Sequence, residues 1–171
     1  ISSVPAGFTF LLDYYGRFFK DVGVQINHIE IGSAFMPMEQ KQKLMKYCPN
    51  AKICMHYGLT EASRAAFIEF KSEYKKLHTV GRPSPNVEIT ILKGDDENGM
   101  NDGSGEICVK GKMVANHYLG KPEQTEKIFT NGWLHTGDIG KIDDDGYVIL
   151  LGRKKDIINV GGLKVPPGEV E

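Results

Sequence analysis

"INHIEIGSAFMPMEQKQKLMKYCPNAKICMHYGLTE", residues 26–61, is the stretch that decides the fold. Its first part, "INHIEIGSA" (26–34), alternates briefly between apolar and polar residues and then runs into small ones, as a short strand opening into a loop does. "MEQKQKLMKY" (38–47) sets Leu44 and Met45 among charged neighbours, the pattern of an amphipathic surface helix. "AKICMHYG" (51–58) is a second apolar strand that stops at a glycine turn. Strand, helix, strand in this order predicts parallel strands joined by a crossover helix. The loops "GSAF" (32–35) and "YGLTE" (57–61) then fall at the carboxyl ends of strands, where open α/β sheets bind ligands.

Working outward, "FTFLLDYYGRFF" (8–19) is apolar at helical spacing and crowded with aromatics, which predicts a buried helix. After "TVGRPSPN" (79–86) the texture changes. "VEITIL", "GEICVKG", "GWLHTGDIG" and "GYVILLGR" are short, rich in β-branched residues and separated by the turn-forming runs "GDDENGMNDGSG" and "DDDG". They predict a small antiparallel sheet or distorted barrel, interrupted by a short helix at "KPEQTEKIF" (121–129). The expected fold class is therefore α/β: a layer with parallel strands followed by a small antiparallel, barrel-like β subdomain. The expected division is an α/β part over 1–80, a small β subdomain over 81–152, and a final segment over 153–171.

Bulk properties narrow the function. The 171 residues are 40% hydrophobic and 25% charged, with a net charge of −1, so nothing draws the whole chain to nucleic acid or to anionic membrane. No apolar run approaches the ~20 residues of a membrane helix. Cys48, Cys54 and Cys108 form no C-x-x-C pair, which predicts a reducing compartment, the cytoplasm. The five histidines show no metal-ligand spacing. The start, "ISSVPAGFTF", lacks the basic region of a signal peptide. Without an initiator Met, and with "PPGEVE" reading as the first turn of a helix, the chain is expected to be a piece of a longer protein.

Four groups of residues carry candidate chemistry. In "YGLTE", Tyr57 offers a ring face to a purine and Gly58 lets backbone approach a ligand. Thr60 can bond a phosphate oxygen, and Glu61 can help hold a hard cation such as Mg²⁺. The same residues also read as a helix start, with Thr60 as N-cap and Glu61 in the first turn. Gly32, Ser33, Ala34 and Phe35 could form an adenine-sized slot, or an ordinary loop. Asp138, after a glycine and between two short strands, could accept both hydroxyls of a ribose, or sit in a turn. Arg153, Lys154, Lys155 and Lys164, with the Gly161–Gly162 pair, suit a phosphate-handling loop, or a solvated turn and hairpin. There is no G-x-S-x-G elbow and no G-x-x-x-x-G-K-[ST] loop.

The order of these signals is more specific than any one of them. "GSAF", "YGLTE", "GRPSPNVEI", "GEICVKGKMVANHYL", "WLHTGDIG" and "GRKKDIINVGGLKVPPGEVE" follow one another as in the adenylate-forming superfamily, which includes AMP-dependent acyl-CoA synthetases, luciferases and peptide-synthetase adenylation domains. The chain resembles that superfamily from about residue 28 onward. The resemblance implies an adenine border at Gly32–Phe35, a stacking ring at Tyr57 beside Gly58, an α-phosphate contact at Thr60 and a Mg²⁺ contact at Glu61. It implies ribose binding at Asp138 with Arg153 beside it, a hinge at Lys155, and a loop for the thioester step at Gly161 and Gly162. Met55 and His56 would line the acyl pocket; His56 is bulkier than the residue many relatives carry, implying a shortened or polar-ended pocket.

The implied activity is that of an acid–thiol ligase. A carboxylic acid attacks the α-phosphate of ATP, pyrophosphate leaves, and coenzyme A displaces AMP. The implied partners are thus ATP or AMP, Mg²⁺, a carboxylic acid (acyl) substrate and coenzyme A. The alternatives are a carrier-protein phosphopantetheine as acceptor, or a non-catalytic nucleotide-binding module. The superfamily's phosphate loop and C-terminal lysine are expected outside residues 1–171, so the chain alone is expected to be inactive.

Overall fold

The computed structural model describes residues 1–32, 34–93, 103–156, 158–160 and 163–165, the last two groups by backbone alone. Its first sheet grows from the expected strand–helix–strand unit. Strand β1 (Ser2–Ser3) runs parallel to β2 (His28–Gly32), and β2 parallel to β3 (Lys52–Tyr57), with His28 opposite Lys52 and Gly32 opposite His56. Helices α1 (Pro5–Tyr14) and α2 (Gly16–Gly23) precede β2, and α3 (Met38–Tyr47) makes the crossover to β3. Two antiparallel strands, β4 (Ala66–Glu69) and β5 (Arg82–Pro83), complete the order β1-β2-β3-β4-β5.

Apolar residues at alternate positions of β2 and β3 (Ile29, Ile31, Ile53, Met55) meet Phe8, Leu12, Phe19 and Leu44 from the helices in one core. The expected single buried helix over 8–19 is two helices that break at Tyr15–Gly16, where Tyr15 leaves helical geometry. Only one of its faces is buried. Phe8 and Leu12, four residues apart, point inward, whereas Phe10, Tyr14 and Phe18 repeat the same spacing on the exposed side. The expected surface helix α3 hides a cation. Lys41 is buried, its ammonium donating to the Leu77 carbonyl at 2.5 Å, and burial pushes its pKa down.

The second sheet is antiparallel and open: β6 (Val87–Leu92), β7 (Gly105–Gly111), β9 (Trp133–Ile142) and β10 (Val148–Arg153) lie in the order β10-β9-β7-β6. The short helix α4 (Pro122–Ile128) leads into β8 (Phe129–Thr130), which pairs with β9. "DDDG" is the hairpin turn expected of it. Gly146 N–H donates to the Asp143 carbonyl, and the Asp143 carboxylate accepts from the backbone of Asp145 and Tyr147. Strands β11 (Ile158–Val160) and β12 (Leu163–Val165) pair antiparallel beyond it. Most of "GDDENGMNDGSG" lies outside the described residues. The expected α/β class, a sheet with parallel strands followed by a curled antiparallel half-barrel, is the observed one. No described helix is long and apolar enough to cross a membrane.

A second core joins the two sheets. Tyr57, Ala62, Ala65 and Ala66, from the end of β3 through the start of β4, pack on Ile107, Val109, Leu134 and Val148 of the antiparallel sheet. Val148 is stitched to the first half by two backbone bonds, accepting from Val80 N–H (2.9 Å) and donating to the Gly81 carbonyl (2.8 Å). Gly81 has a positive φ of 97°, and a Cβ there would lie 1.8 Å from the Phe67 carbonyl oxygen. Gly146 also has positive φ (82°) but opens onto free space. Gly81→Ala is expected to cost about 3 kcal/mol or more, against about 1 kcal/mol for Gly146→Ala, where only the backbone conformation is strained. Urea unfolding of both variants measures this, and equal losses would show that the approach of Gly81 to Phe67 is not as tight as the contact implies.

Candidate active site

The hairpin between β3 and β4 builds the first wall. Leu59 and Ala62 exchange backbone hydrogen bonds (3.0 and 3.2 Å), which leaves Thr60 and Glu61 at the tip of a two-residue turn. The helix start that these residues could also have formed does not occur. The chain instead folds back over Gly58, whose missing Cβ would lie 2.6 Å from Arg64 N and 2.8 Å from the Ala62 carbonyl. The close return of the backbone by itself requires a glycine here, and Gly58 also lines the cleft. Residues 111–118 then clamp the tip from outside. Ala115 N–H donates to the Glu61 carbonyl (2.7 Å), Val114 bridges to Ala62, and Tyr118 donates its phenol to Glu61 Oε1 at 2.6 Å.

The second wall is a bulge in β9. Sequence reading placed Asp138 between two short strands; it lies instead inside one ten-residue strand, where Thr136, Gly137 and Asp138 together face the single residue Ile107 of β7. The bulge is held by side chains. Thr136 Oγ1 donates to the Ile107 carbonyl (2.7 Å) and accepts from Asp138 N–H (3.0 Å), while Gly137 N–H donates to Glu106 Oε1 (3.0 Å). Glu106 also binds Lys154 at 3.1 Å, tying the bulge to the residue after β10.

Asp138 is 4% exposed and has two donors: Tyr57 gives its phenol to Oδ2 at 2.6 Å, and Arg153 Nε stands 2.8 Å from Oδ1. Burial, reinforced by the anionic acceptor, holds the Tyr57 phenol far above its ordinary pKa, so it donates and does not ionise.

Between these walls opens a cleft of about 600 Å³, bordered by Thr60, Glu61, Tyr118, His135 and Arg153, with His56 and Arg64 at another part of its lining. His56 lies over Gly32, and its Nδ1 is 3.4 Å from Glu30 Oε1 without the alignment of a hydrogen bond. Arg64 Nε binds the same oxygen at 2.6 Å. Burial and, after it, the Arg64 charge lower the His56 pKa against the pull of Glu30, so the imidazole is neutral near pH 7.

The structure thus brings Thr60, Glu61, His56, Gly58 and Arg153 to one cleft, with Asp138 bound to Arg153 behind it. Tyr57 is buried in the second core, 8% exposed, and does not border the cleft. Met55 faces the first core. Of the small-residue loop, Gly32 is buried and Ala34 and Phe35 are exposed, while Ser33 lies outside the described residues. Lys155 is exposed in a short 3₁₀ turn after β10; Gly161 and Gly162 lie outside the described residues. Sequence reading missed Tyr118, Glu106, Thr136 and the Glu30–Arg64 pair. These act through partners 29 to 57 positions away, and no local pattern marks them.

A family model described as "AMP-binding enzyme" matches residues 1–119. The chain belongs to this AMP-binding family. A long-chain-fatty-acid–CoA ligase of Bacillus subtilis (strain 168) is 40% identical over 141 residues, covering 82% of the chain and 25% of the relative. An amide bond synthetase from Marinactinospora thermotolerans superposes with a TM-score of 0.84 at 27% identity, covering 99% of this chain and 34% of that one. The O-succinylbenzoate coenzyme A synthetase of Bacillus subtilis, in complex with ATP and magnesium ion, superposes with a TM-score of 0.81 at 28% identity, covering 100% and 35%. The chain spans about a quarter of the length of its first curated relatives, which are named as CoA ligases.

If the Tyr57–Asp138 bond holds the seam, Tyr57→Phe costs about 2 kcal/mol, the usual loss of a hydrogen bond to a charged group. Asp138→Ala costs more, because it strands a buried hydroxyl. The double variant costs less than the sum, and urea unfolding of the four proteins checks the cycle. Additive losses would show that the two side chains act independently.

Proposed function

We propose that this chain forms part of an AMP-forming acid–thiol ligase, which joins a carboxylic acid to the α-phosphate of ATP and passes the acyl group to coenzyme A. The observation that carries this reading is the pairing, across one cleft, of a Thr60–Glu61 hairpin tip with the Arg153–Asp138 ion pair. A nucleotide asks for these two things at once: donors and a cation holder for its phosphates, and a carboxylate for its ribose. Among the described residues each Asp138 oxygen has one side-chain donor, which leaves acceptor capacity for ribose hydroxyls that would approach beside Arg153. Thr60 bonds the α-phosphate. The adenine would lie against the Gly32–Phe35 loop, with the buried Tyr57 behind the site through its bond to Asp138.

The carboxylate set also suits Mg²⁺. Magnesium sites of this kind use one or two carboxylates and complete their shell with substrate phosphates and water, and Glu61 lines the cleft with one oxygen bound to Tyr118. When bound, the ion would neutralise charge on the phosphates. The chain's own residues orient the α-phosphate, so that the acid oxygen bonds to phosphorus as the bond to pyrophosphate breaks in line. In the second step the thiol sulfur bonds to the acyl carbon and AMP leaves.

Lys155, exposed just past β10, is the proposed hinge, and His56 the proposed acyl-pocket residue, since Met55 is turned into the first core. The polar His56–Arg64–Glu30 group favours a short or polar-ended acid. The likeness to an amide bond synthetase makes an amine the alternative acceptor to test beside coenzyme A and a carrier-protein phosphopantetheine. The three free thiols suit a reducing, cytoplasmic setting.

ATP–pyrophosphate exchange by the complete protein, across short, long, aromatic and dicarboxylic acids, tests this reading. Exchange dependent on one acid class is expected, with the 171-residue chain alone inactive. Asp138→Ala should raise the ATP concentration needed by about tenfold or more, and Glu61→Gln should lower turnover more than it weakens ATP binding. No exchange with any acid would leave the chain a nucleotide-binding module.

A further inference from the structure

Tyr118 lines the cleft beside Glu61, and it is held from three sides. Its backbone N–H donates to Thr125 Oγ1 at 2.9 Å, its ring meets Phe129 edge-on with centroids 5.7 Å apart, and its phenol donates to Glu61 Oε1 at 2.6 Å. Glu61 is fixed in turn through its own backbone, which accepts from Ala115. Among the described residues, Oε2 of Glu61 has no hydrogen-bond partner, while the residue lines the cleft.

We propose that Tyr118 is a positioning residue that makes Glu61 a one-oxygen ligand and so sets the cleft's preference for Mg²⁺ over Ca²⁺. The inference rests on the reading of Glu61 as the metal-side carboxylate. The physical reason is coordination number. Mg²⁺ demands compact octahedral geometry, which a carboxylate serves through one oxygen. Ca²⁺ takes six to eight oxygens and accepts a carboxylate through both. A phenol on Oε1 takes one of that oxygen's two acceptor sites and fixes the plane of the carboxylate, so it competes with the two-oxygen mode that serves the larger ion. The backbone bond to Thr125 and the ring contact with Phe129 hold Tyr118 against Glu61.

Tyr118→Phe removes the hydroxyl and keeps the ring against Phe129, so the fold is retained. The test is calorimetric binding of a non-hydrolysable ATP analogue to the complete protein in Mg²⁺ or in Ca²⁺, for wild type, Tyr118→Phe and Glu61→Gln. The wild type is expected to bind the Mg²⁺ complex more tightly, and Tyr118→Phe to lower the Mg²⁺-to-Ca²⁺ affinity ratio by roughly tenfold, the equivalent of one charged hydrogen bond. An unchanged ratio in Tyr118→Phe, with the ratio lost in Glu61→Gln, would overturn the role of Tyr118 and leave Glu61 in place. An unchanged ratio in both variants would overturn the metal-side reading of Glu61 as well.

Discussion

The buried carboxylate of Asp138 is the constraint on which the two halves of this molecule depend. An unpaired carboxylate at 4% exposure would be costly by several kcal/mol, so its two donors are required, and they come from different sheets. Tyr57 ends the last parallel strand, and Arg153 ends the last strand of the antiparallel sheet. The register of β9 against β10 sets Arg153 directly opposite Asp138. One charge therefore fixes the end of β3, the bulge of β9 and the exit of β10 relative to one another.

Around that anchor the packing leaves little slack. The loop from Tyr57 to Ala66 contributes three alanines to the core shared by the sheets, and only such small side chains let its backbone lie against Ile107, Val109 and Leu134. The same closeness folds the hairpin back over Gly58 and thrusts Thr60 and Glu61 into the open. Burial of the loop's base and exposure of its tip are thus two results of one geometry. The cleft exists because the second sheet meets that base and not the tip.

The cleft is electrostatically uneven. Near Arg153 and Thr60 it presents donors and a cation, suited to phosphate and ribose oxygens. Near His56 it holds a neutral imidazole beside an arginine already bound to Glu30, whose pKa that arginine lowers. A fatty-acid ligase, an O-succinylbenzoate synthetase and an amide bond synthetase are all similar to this chain and differ in what their names say they join. The AMP-binding part is common to the family, while the acid and its acceptor vary from member to member.

Local order was legible in the sequence wherever a periodic pattern or a turn residue carried it. Alternation in "INHIEIG" and "KICMHY", amphipathicity in "MEQKQKLMKY" and the Asp–Gly turn at 143–146 each specify an element through neighbours a few residues apart. The ordered motifs around Tyr57–Glu61, Asp138 and Arg153 identified the family for the same reason. The tertiary structure alone decided the rest. That Tyr57 turns its ring into the core and its hydroxyl to Asp138, 81 residues away, follows from how two sheets pack, as does the grip of Tyr118 on Glu61 across 57 residues. It also decided that "YGLTE" closes as a hairpin and not as a capped helix, because the second sheet needs the alanines that follow it. Propensity acts within a few residues, whereas desolvated charges find their partners through space.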